Sequence, residues 1–266
     1  MLVVVAVALA LAAIAVVVWG WFEAGWVRFR RLEVEVPGLP AALDGLRIVH
    51  LSDFHLGMPS RGERATERGV EWAAERRPDI VCITGDLLSR ARGEARLREL
   101  IARLRPCYAI LGNHDITLSR DPFSRGIRLS ELGPATLLSD SAVTLELRGR
   151  PVLVAGADPA SRGREPDLSG EADLRVLLVH FPDSFDRIPD GRYDLVLSGH
   201  MHDGQICLPF PGGKLRLAHL VARYPAGLYR RGSTAMHVSP GLGTSFVPFR
   251  FCARPEATEL TLRSAS

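Results

Sequence analysis

The chain has 266 residues, of which 47% are hydrophobic and 24% charged. This is the balance of a folded globular protein with room for a sizeable core, and it excludes a disordered chain, a fibre and a multi-span membrane protein. Lys and Arg total 33 against 30 Asp and Glu, a net charge of +3, too even to suggest polymeric nucleic acid as a partner. Cys82, Cys107, Cys207 and Cys252 lie far apart with no CxxC pair, so neither a structural zinc site nor a disulfide scaffold is expected. Cys82 and Cys107 fall inside apolar runs and read as buried thiols.

Met1 to Phe22 carries no charged side chain. As a helix it would rise roughly 33 Å, enough to cross a bilayer core. Trp19, Trp21, Phe22 and Trp26 cluster at its end, as interfacial aromatics do. A cleaved signal peptide would carry a basic segment before the apolar run, and a core helix this long without a polar face is rare in a small domain. The reading is a transmembrane anchor over residues 1–26. Arg28, Arg30 and Arg31 follow the span, so the positive-inside rule puts a single-pass chain in the cell membrane with its body on the cytoplasmic face.

Residues 27–45 read as a linker and lead-in strand, with Val34 and Val36 before the turn Pro37-Gly38-Leu39-Pro40. From residue 46 to 266 one domain is expected. Leu46 to Leu51, Asp79 to Thr84 and Cys107 to Leu111 read as strands. Glu63 to Arg77 and Arg92 to Leu104 read as helices, the second with Leu97, Leu100, Ile101 and Leu104 on one stripe. This βαβαβ order predicts a parallel sheet covered by helices. Val143 to Leu147 and Pro151 to Ala155 flank Arg148-Gly149-Arg150 as a hairpin. Arg162 to Gly170 is a polar loop. Strands at Leu174 to Val179, Leu195 to Ser198, Ala226 to Tyr229, Ala235 to Ser239 and Glu259 to Leu262 supply a second sheet. The predicted class is α/β.

The polar residues fall at strand ends. Five apolar runs end in Asp53-Phe54-His55, Gly85-Asp86, Gly112-Asn113-His114-Asp115, His180 and Gly199-His200-Met201-His202. Ligands bind at the C-terminal ends of strands in α/β sheets, so the five tips should converge. Each motif alone has a plainer reading: a Gly-Asp turn is usually only a turn, and a lone His in an apolar run is usually core. Five at successive strand ends are hard to obtain by chance. Oxygen and imidazole ligands without thiolate suit Mn, Fe, Zn or Ni more than Ca or Mg. Asp-x-His and His-x-His direct alternate residues to one side of an extended segment. Seven candidate ligands are too many for one tetrahedral ion and suit two, bridged by a carboxylate, that clamp a phosphate and activate a water between them.

In order and spacing these motifs resemble the calcineurin-like metallophosphoesterases, from about Leu46 to His202 and more loosely to Glu259. Ser239 to Ser245, with Pro248 and Arg250, is similar to the membrane-anchored or exported bacterial branch. The resemblance implies a four-layer α/β/β/α sandwich and two divalent ions, manganese first, then iron or zinc. It places Asp53, His55 and His202 on one ion, Asn113, His180 and His200 on the other, and Asp86 between them. His114 would assist the leaving group, and Asp115 would orient His114 by accepting its other ring proton. The implied reaction is hydrolysis of a phosphoester, a phosphodiester or pyrophosphate, in a nucleotide or a lipid-linked substrate of the UDP-2,3-diacylglucosamine kind. Non-catalytic scaffolds of this fold lack ligands or the acid/base His; this chain keeps them all. A mononuclear hydrolase would differ by holding one ion.

Other residues are read more plainly. His50 is expected to pack in the sheet, and His219 and His237 to be surface or structural. The stretch Phe210 to Arg216 is either a lid, with Lys214 and Arg216 meeting a phosphate, or a solvated loop. Arg250 could face a substrate phosphate. Gly241-Leu-Gly243 lacks the six-residue spacing of a dinucleotide fingerprint.

Overall fold

A computed structural model of the chain describes residues 1–116, 121–122, 124, 129, 131–161, 166 and 170–265; most of the polar stretch Arg162–Gly170 lies outside the described residues. The apolar N-terminus forms helix α1 (Leu2–Glu23), long and apolar enough to cross a membrane and with none of its apolar window buried against the rest of the chain. It ends where the first charged side chain, Glu23, turns into the body: Ala253 N donates to Glu23 Oε1 (2.8 Å) and Trp19 Nε1 to Oε2 (3.0 Å).

The lead-in segment is strand β1 (Arg28–Pro37), followed by β2 (Arg47–Leu51), α2 (Gly62–Arg76), β3 (Ile80–Thr84), α3 (Glu94–Ile101), β4 (Cys107–Ile110) and the short β5 (Thr136–Leu137). Strands β2, β3, β4 and β5 are parallel neighbours in that order, as alternation with helices requires. The last strand, β14 (Glu256–Ala265), inserts between β1 and β2, parallel to the first and antiparallel to the second. A second six-stranded sheet follows the order β12 (Gly227–Arg231), β13 (Thr234–Val238), β9 (Leu195–Ser198), β8 (Leu174–Leu178), β7 (Arg150–Gly156) and β6 (Ser141–Leu147). Strands β10 (Cys207–Phe210) and β11 (Gly213–Arg216) form a separate hairpin.

Period-two alternation explains the layering. From β2 and β3, Val49, Leu51, Val81 and Ile83 pack against Ala65, Val70, Leu97 and Ile101 of the helices. Ile48, Ile80 and Cys82, on the opposite face, meet Val152, Val154, Val176 and Leu197 of the second sheet. The outer face of that sheet is covered by Phe185, Ile188, Tyr193 and Tyr224, with a 3₁₀ turn at Pro182–Asp186. The expected α/β/β/α sandwich is borne out, its fourth layer thin among the described residues.

His50 on β2 and His237 on β13 meet between the sheets with their Nδ1 atoms 2.8 Å apart, and His50 Nε2 lies 2.9 Å from Thr84 Oγ1. Both histidines are structural, as expected. Burial holds His50 well below its ordinary pKa and pushes His237 down to about 3.

Candidate metal centre

The parallel strands of both sheets end at one place, and the loops leaving them interlock there. Asp53 N donates to Gly85 O (3.0 Å) and His55 N to Asp86 O (2.9 Å), joining the loops after β2 and β3. Asp53, His55, Asp86, His200 and His202 all hold positive φ, between 48° and 72°, a conformation that side chains other than glycine rarely take and that clusters at functional sites. Glycine lets the loops close. A Cβ on Gly112 would overlap the Asp86 carboxylate, and one on Gly199 would overlap Ser52 and the Asp53 carboxylate.

Two ligand sets result. Asp53, His55, Asp86 and His202 offer atoms all within 4.8 Å of one another, as do Asp86, His180 and His200. Asp86 belongs to both. Its Oδ2 lies 3.5 Å from His55 Nε2 and 3.3 Å from His180 Nε2, while Oδ1 accepts from His114 N (2.9 Å). Asn113 Oδ1 joins the second set, 2.9 Å from His180 Nε2. The far ring nitrogens are held from behind: His55 Nδ1 by Ser89 Oγ (2.9 Å), His180 Nδ1 by Thr84 O (2.8 Å) and His202 Nδ1 by Arg250 Nη2 (3.1 Å). Such outer contacts fix ring orientation in metal sites.

The electrostatics fit cations. Burial raises Asp53 to about 7 and works the same way on Asp86, but His180, His114 and His55 outweigh it there and hold Asp86 well below the ordinary carboxylate range. Burial opposes a charge on His180, yet Asp86 and Asp53 lift it to about 9. Its proton thus sits among Asp86, Asn113 and His200. In the other set, His55 Nε2 and His202 Nε2 face each other at 3.0 Å, and burial presses both well below the ordinary histidine value. A guanidinium has no acceptor atom, so Arg250 leaves the His202 ring proton on Nε2, aimed at His55. A cation that takes His180 Nε2 displaces that proton, and one that takes His202 Nε2 requires the ring proton to leave that nitrogen. The donor set therefore fits divalent cations, which bind in competition with acid.

Each sequence-predicted ligand is in this cluster. His114 is beside it, its Nε2 3.9 Å from Asp86 Oδ2 and its ring edge-on to His55 at 4.6 Å; burial lowers its pKa against the pull of Asp86 and Asp121. Asp115, Arg250 and the Lys214–Arg216 pair have other partners. Asp115 accepts from the amides of Leu87 (3.1 Å), Leu88 (2.9 Å) and Gly112 (2.9 Å), so its oxygens pin two loops and do not orient His114. Arg250 is 0% exposed and donates to Gly243 O, Pro240 O and Ala253 O as well as to His202; it backs a ligand and faces no phosphate. Lys214 and Arg216 are paired to Asp203 and do not line the cleft above the cluster. Ser89 and Thr84 were missed, because no local motif announces partners 34 and 96 positions away.

The cluster opens into a cleft of about 470 Å³, whose floor includes Asp86, Asn113, His114 and His200 and whose walls include Ile206, Ala218, His219, Phe246 and Val247. Charged ligands on the floor and apolar walls suit a phosphate attached to a partly apolar group.

The family model for calcineurin-like phosphoesterases matches residues 46–204. A metallophosphoesterase of Bacillus subtilis, YkoQ, is 33% identical over 233 residues, covering 83% of this chain and 84% of that protein. The phosphodiesterase YaeI of Escherichia coli is 28% identical, with 91% and 89% covered. The UDP-2,3-diacylglucosamine pyrophosphatase LpxG of Chlamydia trachomatis is 27% identical, with 90% and 91% covered.

Proposed function

The chain belongs to the calcineurin-like phosphoesterase family and is a metal-dependent phosphoric ester hydrolase, and from that premise we propose that it uses two divalent ions to cleave a phosphodiester or pyrophosphate bond. The observation that carries this reading is Asp86, whose one carboxylate is shared by both ligand sets. Asp53, His55, Asp86 and His202 would hold one ion; Asp86, Asn113, His180 and His200 would hold the other, manganese preferred over iron or zinc. When bound, the ions supply Lewis-acid polarisation of the phosphoryl oxygens and a more acidic water. The chain's own residues do the rest. Ser89, Thr84 and Arg250 keep the imidazoles aimed inward. His114, on the cleft floor, donates a proton to the oxygen that leaves.

A lipid-linked substrate, of the kind named for LpxG, is favoured by Phe246 and Val247 in the cleft wall. The helix α1 is taken as a single membrane span, and Arg28, Arg30 and Arg31 after it favour a body on the cytoplasmic side.

Paired variants test the roles. Asp86→Ala is expected to lose both ions and nearly all turnover. His114→Ala is expected to keep both ions and lose about 10²–10⁴-fold in kcat, the usual scale for acid–base assistance. Ion counting beside a diester assay reads both; an active, metal-free Asp86→Ala chain would overturn the proposal.

A further inference from the structure

The β10–β11 hairpin has its polarity reversed. Its register sets Leu208 opposite Leu215 and Phe210 opposite Gly213, so alternation puts Leu208, Phe210 and Leu215 on one face. These side chains are 49%, 56% and 44% exposed, and Leu217 just beyond is 45% exposed. The other face carries Lys214 and Arg216, turned inward onto the buried Asp203. A ribbon bathed in water favours the opposite arrangement, with apolar residues in and charges out. Contiguous exposed apolar side chains of this size mark a surface that something covers.

The root of the hairpin indicates what covers it. Cys207 N donates to Phe251 O (2.8 Å) and Lys214 Nζ to Cys252 O (2.8 Å). The same short segment receives the end of α1: Arg250 N donates to Gly20 O (3.0 Å), Ala253 N to Glu23 Oε1, and the Trp21 ring lies 6.4 Å from Phe249. Residues 249–253 are thus held by the exit of the apolar helix and by the hairpin together. Where α1 leaves a bilayer, the hairpin root is at the lipid surface. From Cys207 to Phe210 the strand reaches roughly 10 Å, comparable to the depth at which interfacial elements sit.

We propose that the apolar face of the 207–216 hairpin lies in the interfacial layer of the bilayer, as a second membrane contact beside α1. This rests on α1 being a membrane span. Phe246 and Val247, on the same segment as the α1 dock, then bring one wall of the metal cleft to the lipid surface, where an amphiphilic phosphate can enter without leaving the membrane.

The test uses the full chain in vesicles of phosphatidylethanolamine and phosphatidylglycerol. A polarity-sensitive fluorophore is attached at Phe210→Cys, with Leu215→Cys as a second position and the exposed Glu146→Cys on β6 as control, all in a Cys252→Ser background. Doxyl lipids are expected to quench the 210 and 215 labels several-fold more than the 146 label. Equal, water-like emission at all three positions in a carbonate-resistant chain would overturn the proposal and leave the hairpin face to a protein partner. Extraction of the chain by carbonate would remove the anchor itself, and the second contact with it.

Discussion

Arg250 is the residue on which the first ligand set leans. Its side chain is fully buried, and burial lowers its pKa to about 10. It persists as a cation because its N–H groups find acceptors in the Gly243, Pro240 and Ala253 carbonyls and His202 Nδ1. A lysine has a single ammonium and cannot span the carbonyls and the imidazole together. Arg250→Lys should therefore lower stability by about 1–3 kcal/mol, the cost of a buried group left unpaired. It should also weaken metal affinity by about 10–100-fold, as loss of a contact behind a ligand does. Thermal melts and metal titration check both; an unchanged affinity would remove Arg250 from the metal site. The ligands themselves were legible in the sequence because each ends an apolar run, where strand geometry alone predicts convergence. Arg250 was noticed, with a substrate phosphate as one possible partner and no role assigned. Nothing around it in the chain reveals that His202, 48 positions earlier, lies within reach, or that no space is left for a phosphate.

At the scale of elements, the sheets are joined by a histidine pair as well as by hydrocarbon. Buried and paired, His50 and His237 stay neutral in the folded chain, with pKa values well below the unfolded value of about 6.5. The unfolded chain binds more protons below that value. Their contribution to stability is therefore complete above pH 6.5 and is lost as pH falls from there toward 3. Denaturation of the metal-free chain should show a midpoint that falls with pH over this window, and His237→Gln should flatten the dependence. An equally steep slope in the variant would deny the pair its role. Most strands could be located beforehand from apolar runs and Gly/Pro breaks. The insertion of β14 between β1 and β2 could not, since it is decided by contacts across more than two hundred residues. Phe210 to Arg216 was read as a lid or loop because the apolar residues of this hairpin are the exposed ones, the reverse of the pattern by which strands are recognised.

Taken whole, the molecule is a two-sheet sandwich whose strand ends build a floor of carboxylates and imidazoles, with an apolar helix fixed beside the cleft by Gly20 and Glu23. Fold class and ligand set could be argued from motifs at strand ends, since both depend on local order along the chain. The docking of α1 against residues 249–253 could not, because it pairs the two ends of the sequence. In the proposed mechanism this floor holds two ions and hydrolysis depends on them. The most direct measurement strips the detergent-solubilised full chain of metal, restores manganese, iron, zinc or magnesium one at a time, and counts bound ions while assaying a phosphodiester beside a phosphomonoester. About two ions per chain, with diester cleavage that appears only on loading, is the expected result. Diester cleavage undiminished in the stripped chain, or one ion per chain at full activity, would contradict the account.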